Sequence, residues 1–314
     1  MDLPKVQVDY ATREGDWQFN PNPELYAEVA TQFQRRNANT LLKELCWSYL
    51  DDIILDIGCN NGDVTKMLLS KSDQIHHIMA CDILAPCIEY AKQKNADANI
   101  TYIEMDVCKE WPTSWENRFD KVFSNECLNM IVDNQENVLK KVFNSLKPGG
   151  ELGASYFLRI DGIQAATLTL MESEKWKKYF TENKLSKTLA ITQKNIEKMV
   201  WCDEQVFPKM LEKIGFQVKL CKSVQSWSFL KIDCTFIKGT FDLFFKFYHQ
   251  IPTALQGDYL TDMVSIIKEI EMMKFQFLSD KGNEWAHLMQ DESNDKHPLC
   301  QELIIIHCVK PNVS

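Results

Sequence analysis

Three absences narrow this sequence before any motif does. None of its eleven cysteines stands in a C-x-x-C pair, so zinc-ribbon and thioredoxin-like sites have no support. No apolar run approaches the roughly 20 residues that a bilayer span needs, and the charged start Met1-Asp2-Leu3-Pro4-Lys5 does not read as an export signal. Positive charge is also scarce. The chain has 35 Lys and Arg against 44 Asp and Glu, a net charge of −9, and so no overall attraction for phosphate backbones. The small cluster Lys175, Lys177 and Lys178 reads as a solvated helix face. Nucleic acid and a membrane span are therefore not expected, and the oligomeric state stays open. Several cysteines sit in apolar runs, as Cys81 does, and read as reduced, buried thiols of a cytoplasmic protein.

What remains is an ordinary packed globule, 45% hydrophobic and 25% charged, without repeats or low-complexity tracts. The first 24 residues, with Pro4, Pro21 and Pro23, read as an irregular arm. Tyr26, Val29 and Phe33, then Leu41, Leu42 and Leu45, give a helical stripe. From about residue 52, short apolar runs alternate with amphipathic stretches. Strand candidates are Ile53–Leu55, Ile75–Cys81, Ile100–Ile103, Phe119–Ser124 and Glu151–Phe157, with helices after most of them. Leu139, Val142, Phe143 and Leu146 mark a firm helix that Pro148-Gly149-Gly150 ends. This alternation predicts a doubly wound α/β fold with a mostly parallel sheet. Helices are then expected over Ile163–Phe180 and Ile191–Ile214, a strand at Phe216–Leu220, an aromatic helix carrying Phe241, Phe244, Phe245 and Tyr248, a helix with Leu260, Met263, Val264 and Ile267, and a last strand at Leu303–Val309. The expected organisation is an arm with covering helices at 1–48, a cofactor-binding core at 49–160, and at 161–314 the rest of the sheet with a helical cap at about 225–298 inserted before the last strand.

The chemistry concentrates after the first strand, in Asp56-Ile57-Gly58-Cys59-Asn60-Asn61-Gly62. Glycine lets a backbone turn sharply beside a ligand, and the following helix N-terminus favours an anionic group. Asp82 ends the next strand 20 residues after Gly62, where a carboxylate can accept from both ribose hydroxyls, and Asp106 ends the third, where it can accept from an adenine amino group. Each acid singly also reads as a helix N-cap; together with the loop they point to a nucleoside. The spacing Gly58-x-x-x-Gly62 fails the dinucleotide fingerprint, which disfavours a nicotinamide-dependent dehydrogenase.

The loop is similar to the D/E-x-G-x-G-x-G signature of class I S-adenosylmethionine-dependent methyltransferases, with Asn60 at the middle glycine, and Asn tolerates positive φ. Phe119–Asn125 resembles that family's fourth-strand motif, and Leu146-Lys147-Pro148-Gly149-Gly150 the turn before its fifth. The resemblance implies a seven-stranded Rossmann-like methyltransferase sheet with an antiparallel last strand and S-adenosyl-L-methionine as cofactor. It implies cofactor contacts from Asp56, Gly58, Cys59, Asn60, Gly62, Asp82, Ile83, Asp106, Val107 and Asn125.

Leu25-Tyr26 and Gln32-Phe33-Gln34-Arg35-Arg36-Asn37-Ala38 resemble the first helix of the juvenile hormone acid methyltransferases and their arthropod relatives. Those enzymes methylate a lipophilic acid whose carboxylate is held by a glutamine, matched by Gln34, and by a tryptophan, whose place Met130 takes. The resemblance implies O-methylation of a small lipophilic acceptor, with Gln34 and Met130 at its reacting end and Phe241, Phe245, Tyr248 and His249 among the covering residues. The alternative for each aromatic is the cap's own core. A carboxylate acceptor is ionised at neutral pH, whereas a phenol, with a pKa of about 10, gains from a base. Base candidates are Glu126, His249 and His287, and Glu126 comes first because it directly follows strand four. A metal is not expected, since only Asp133 and Glu136 lie near that strand. A cofactor-binding protein without activity is the remaining alternative.

Overall fold

The computed structural model describes residues 22–47, 52–71, 75–131, 134–159, 161–180, 204–244, 248, 251–279 and 295–312. Phe245, His249, His287 and Asp133, named above, lie outside the described residues.

Seven strands form one sheet: β1 (Asp52–Ile57), β2 (Ile75–Asp82), β3 (Ile100–Glu104), β4 (Phe119–Asn125), β5 (Leu146–Arg159), β6 (Gln217–Leu230) and β7 (His297–Val309). Their order is β3-β2-β1-β4-β5-β7-β6. Strands β1 to β5 pair in parallel, and β7 runs antiparallel between β5 and β6. The chain order reverses at β1, which lies between β2 and β4, so the carboxyl ends of β1 and β4 frame the crevice where such sheets take ligands.

The described helices are α1 (Pro23–Val29), α2 (Thr31–Leu42), α3 (Asp63–Leu69), α4 (Ala85–Lys94), α5 (Gln135–Ser145), α6 (Asp161–Glu172), α7 (Phe207–Ile214), α8 (Cys234–Phe244) and α9 (Thr253–Ser279). Period-two alternation in the strands splits their apolar residues between two faces. Ile54, Ile78, Phe123, Leu303 and Ile305 pack with α2, α3 and α4; Leu55, Val122, Leu152, Ile304 and Ile306 pack with α5 and α7. A third cluster joins Phe33 of α2 to Ile163 and Leu170 of α6, Phe241 of α8, and Tyr259 and Met263 of α9. Helices α8 and α9 thus occupy the connection between β6 and β7.

Several expected boundaries move. Helix α5 stops at Ser145, and Leu146 is already extended, so Pro148-Gly149-Gly150 opens β5 instead of capping the helix. Strand β6 continues through Ser223, Gln225, Ser226 and Ser228 to Leu230, and takes in residues expected in the cap. It is an edge strand held by backbone pairing with β7, and such a strand needs no apolar alternation. The stretch expected as one helix over Ile163–Phe180 is α6 followed by a short 3-10 turn, Lys177–Tyr179.

A candidate active site at the switch point

Beyond β1 the loop bends back on β2. Gly58 N and Cys59 N both donate to Cys81 O, at 2.8 and 3.1 Å, and Gly62 N donates to Cys59 O at 2.9 Å. Gly58, Asn60 and Gly62 take φ of 81°, 46° and 78°. Asn60 does occupy the left-handed region, one of the few side chains that adopts it at low cost. At Gly58 a second constraint applies, because an added Cβ would collide with the Cys127 side chain after β4. The backbone of the loop is therefore pressed against the end of β4.

Two carboxylates organise this corner. Asp82 Oδ2 accepts from Asn60 N and Oδ1 from Leu84 N, both at 2.9 Å. Burial raises the Asp82 carboxyl above its usual range, against the opposing pull of the backbone amides of Leu84, Asn60 and Ile83. Asp56 Oδ2 accepts from Thr65 Oγ1 of α3 at 2.6 Å. Its carboxyl is pushed up to about 7, chiefly by burial and further by the Asp82 charge, with the Thr65 bond acting the other way. Asp106 turns its own loop, accepting from Cys108 N at 2.9 Å, and Val107 is buried beside it.

The other half of the site comes from α2 and the end of β4. Gln34 and Asn37 lie three residues apart on the buried face of α2, among Phe33, Ala38, Leu41 and Leu42. Buried amides need partners. Gln34 Nε2 donates to Glu126 Oε2 at 3.0 Å, and Gln34 Oε1 accepts from Asn125 Nδ2 at 2.6 Å. Asn37 Nδ2 donates to Glu126 Oε1 at 2.5 Å and to Gln301 Oε1 of β7 at 2.7 Å, while Asn37 Oδ1 accepts from Ser226 Oγ of β6 at 2.5 Å. Glu126 itself has φ of 54°, and its N–H donates to Ser155 O and Oγ of β5, at 3.0 and 3.1 Å. Burial pushes the Glu126 carboxyl up to about 7, with the Asn37 and Gln34 bonds pulling it down. Tyr26 of α1 sits where it feels both halves: burial, then the charges of Glu126 and Asp82, raise its hydroxyl well above the usual range.

The two halves meet in a cavity of about 20 Å³ lined by Tyr26, Gln34, Asp56, Gly58, Cys59, Asn60, Asn61, Val64 and Asn125. The donor set fits the nucleoside of S-adenosylmethionine: an acidic acceptor at the end of β2, glycines that clear the backbone, and Asn60 Oδ1, which is buried without a partner. Other expected residues stand elsewhere. Met130 is 47% exposed in the 3-10 turn Leu128–Met130. Phe241 and Tyr248 are fully buried, with rings 5.6 Å apart, and Tyr248 Oη donates to Asp242 Oδ1 at 2.6 Å. These two aromatics belong to the third cluster and do not line the cavity, because a helix covering the sheet needs an apolar interior of its own. Asn37, Tyr26, Ser155, Ser226 and Gln301 had no assigned role from sequence. Among the described residues no group of three His, Cys, Asp or Glu could hold a metal, and no helix is long and apolar enough to cross a membrane.

Comparison with known proteins agrees with this geometry. A family model described as a methyltransferase domain matches residues 54–150. The juvenile hormone acid O-methyltransferase of Bombyx mori is 24% identical over 260 residues, covering 80% of this chain and 88% of its own. The Drosophila melanogaster enzyme of the same name is 25% identical over 258 residues, covering 78% and 82%. Among solved structures, the phosphoethanolamine N-methyltransferase 2 of Haemonchus contortus, in complex with S-adenosyl-L-methionine, shares the fold with a TM-score of 0.51 at 17% identity, over 99% of this chain and 62% of that one. The chain is a class I S-adenosylmethionine-dependent methyltransferase. Within that class it is of the type that resembles the juvenile hormone acid methyltransferases.

Proposed function

We propose that the chain transfers a methyl group from S-adenosylmethionine to an oxygen of a small lipophilic acceptor. The observation that carries this reading is the joining of Gln34 to Glu126 at the carboxyl end of β4, against the loop that follows β1. In this reading Asp82 accepts from the ribose hydroxyls and Asp106 from the adenine amino group, with Asp56, Gly58, Cys59, Asn60, Gly62, Ile83, Val107 and Asn125 around them. Bound, the cofactor supplies a sulfonium methyl group and its own leaving group. The chain's work is then alignment and exclusion of water. Tyr26 of α1 and Gln34 of α2 line the cavity together with the loop that follows β1.

The names of the relatives support a carboxylic acid as acceptor, and a phenol is the other oxygen acceptor proposed. Gln34 and Glu126 are the proposed reacting-end residues. The third cluster, with Phe241 and Tyr248, packs against Phe33, the neighbour of Gln34 on α2. The test is incubation with S-adenosylmethionine carrying a labelled methyl group and a panel of lipophilic acids, phenols and amines. Label on oxygen is the expected result. No transfer to any acceptor with cofactor still bound would overturn the enzymatic reading in favour of a binding protein.

A further inference from the structure

We propose that the acceptor is a neutral hydroxyl compound that arrives with its proton, and that Glu126 is a catalytic base that receives it and excludes carboxylates from the site. This rests on the O-methyl reading above and names its substrate class. A site built for a carboxylate presents donors that lack an anionic partner. Here both amides on the buried face of α2 already donate to an anion of the chain itself: Gln34 Nε2 to Glu126 Oε2 and Asn37 Nδ2 to Glu126 Oε1, at 3.0 and 2.5 Å. Gln34 Oε1 and Asn37 Oδ1 are also taken, by Asn125 and Ser226, so neither amide turns without breaking a second bond. The left-handed φ of 54° at Glu126, a conformation that glutamate adopts only at a cost, is anchored by its N–H on Ser155. The chain therefore holds an acid where its relatives' activity would require room for the substrate's acid.

A second carboxylate brought to Gln34 would meet this charge at contact distance. Repulsion at the effective dielectric of such sites weakens binding on the order of 100- to 1000-fold. A hydroxyl meets the opposite situation. Each Glu126 oxygen can accept one more hydrogen bond beyond its amide bond, and its donor Gln34 lines the cavity, so a hydroxyl held against Gln34 has this acceptor next to it. The titratable groups around the carboxylate are Tyr26 of α1, which feels Glu126 together with Asp82 at the end of β2, Cys87 of α4 and Cys127 beside it. Glu126, pushed up to about 7 by burial, is matched to accept a proton near neutral pH. The step balances. The acceptor oxygen forms its bond to the methyl carbon as the carbon–sulfur bond breaks. The electron pair of that bond stays on sulfur as a thioether, and the hydroxyl proton passes to Glu126 and from there to water.

The opposed pH slopes of the two acceptor classes test this without any substitution. Phenol methylation is expected to rise about tenfold per pH unit below 7 and to level above it. Binding of a lipophilic carboxylate, measured by calorimetry on the protein loaded with S-adenosylhomocysteine, is expected to weaken from pH 6 to pH 8, with no such loss for the matching alcohol. In Glu126→Gln the phenol rate is expected to fall by about 100- to 10,000-fold, to lose its limb near 7, and to recover at alkaline pH as the phenol ionises unaided. The same variant is expected to bind the carboxylate equally at both pH values, and its unchanged cofactor affinity certifies the fold. Preferred transfer to carboxylates at pH 8, selective transfer to amines, or a Glu126→Gln rate equal to wild type would each overturn the proposal. Absence of transfer to every acceptor would sink the O-methyl reading instead, and the calorimetric slopes would still judge Glu126.

Discussion

Glu126 also makes a prediction about stability that needs no substrate. Its carboxyl is held at about 7 in the folded chain, against 4.5 for an ordinary glutamate. The folded state therefore binds its proton more tightly than the unfolded state. The stability this contributes is fully present below pH 4.5 and is lost as pH rises through 7. Two and a half units at 1.36 kcal/mol each give about 3 kcal/mol at most, of which roughly 1 kcal/mol is gone by pH 5 and nearly all by pH 7. Glutamine keeps the shape and never ionises. The difference in unfolding free energy between Glu126→Gln and wild type is thus expected to climb by about 2 kcal/mol in favour of the variant between pH 5 and pH 8. Urea titrations at half-unit steps measure it. Asp56, also pushed up to about 7, bends both curves alike and cancels in the difference. Parallel curves for the two proteins would refute the reasoning, since they would mean that the carboxylate is solvated in the folded state.

Asp82→Ala removes the proposed ribose acceptor and strands the N–H groups of Asn60 and Leu84; cofactor affinity by calorimetry is expected to drop about 100-fold or more, and an unchanged value would misplace the site. Gly58→Ala combines left-handed backbone with overlap on Cys127; an expected loss of about 2–4 kcal/mol in urea unfolding should be partly recovered by adding Cys127→Gly, and independence of the two changes would contradict the packing described. Phe241→Ala is expected to cost about 3–5 kcal/mol of stability while leaving the acceptor KM alone, as befits a core residue; a KM shift at unchanged stability would return Phe241 to the acceptor site.

All seven strands were legible in the sequence, six as apolar runs and β6 by its alternation, and the antiparallel last strand followed from the family resemblance. What escaped has physical reasons. Strand β6 overran its predicted end because Ser223, Gln225, Ser226 and Ser228 interrupt the apolar pattern there, while backbone pairing with β7 and the burial of Trp227 and Leu230 carry the strand on. Helix α5 ended early because the residues leading into Pro148 turn extended before the ring itself blocks a helix. In the site, the loop and Asp82 announce themselves through glycine spacing and strand ends. Asn37 could have been found too. It stands three residues after Gln34 on a face otherwise apolar, and a polar side chain there is a request for a buried partner. The positive φ of Glu126 had no such signal, because glutamate is not a residue that advertises it. The aromatics of α8 went the other way: a stripe of Phe and Tyr looks the same whether it faces a ligand or a neighbouring helix, and here it faces α9 and α6.

Asn37 draws the last strands of the chain into the site, through Ser226 of β6 and Gln301 of β7, which are paired opposite each other. The order of synthesis then matters. The cofactor loop, α2 and Glu126 all leave the ribosome before residue 130, but β7 slots between β5 and β6 and is made after both. Until residues 297–309 emerge, β6 has no strand partner, Asn37 lacks Gln301 and a fixed Ser226, and the nascent chain holds every residue of the reacting end without the scaffold that orients them. Assembly of the site is in this way timed to the closing of the sheet.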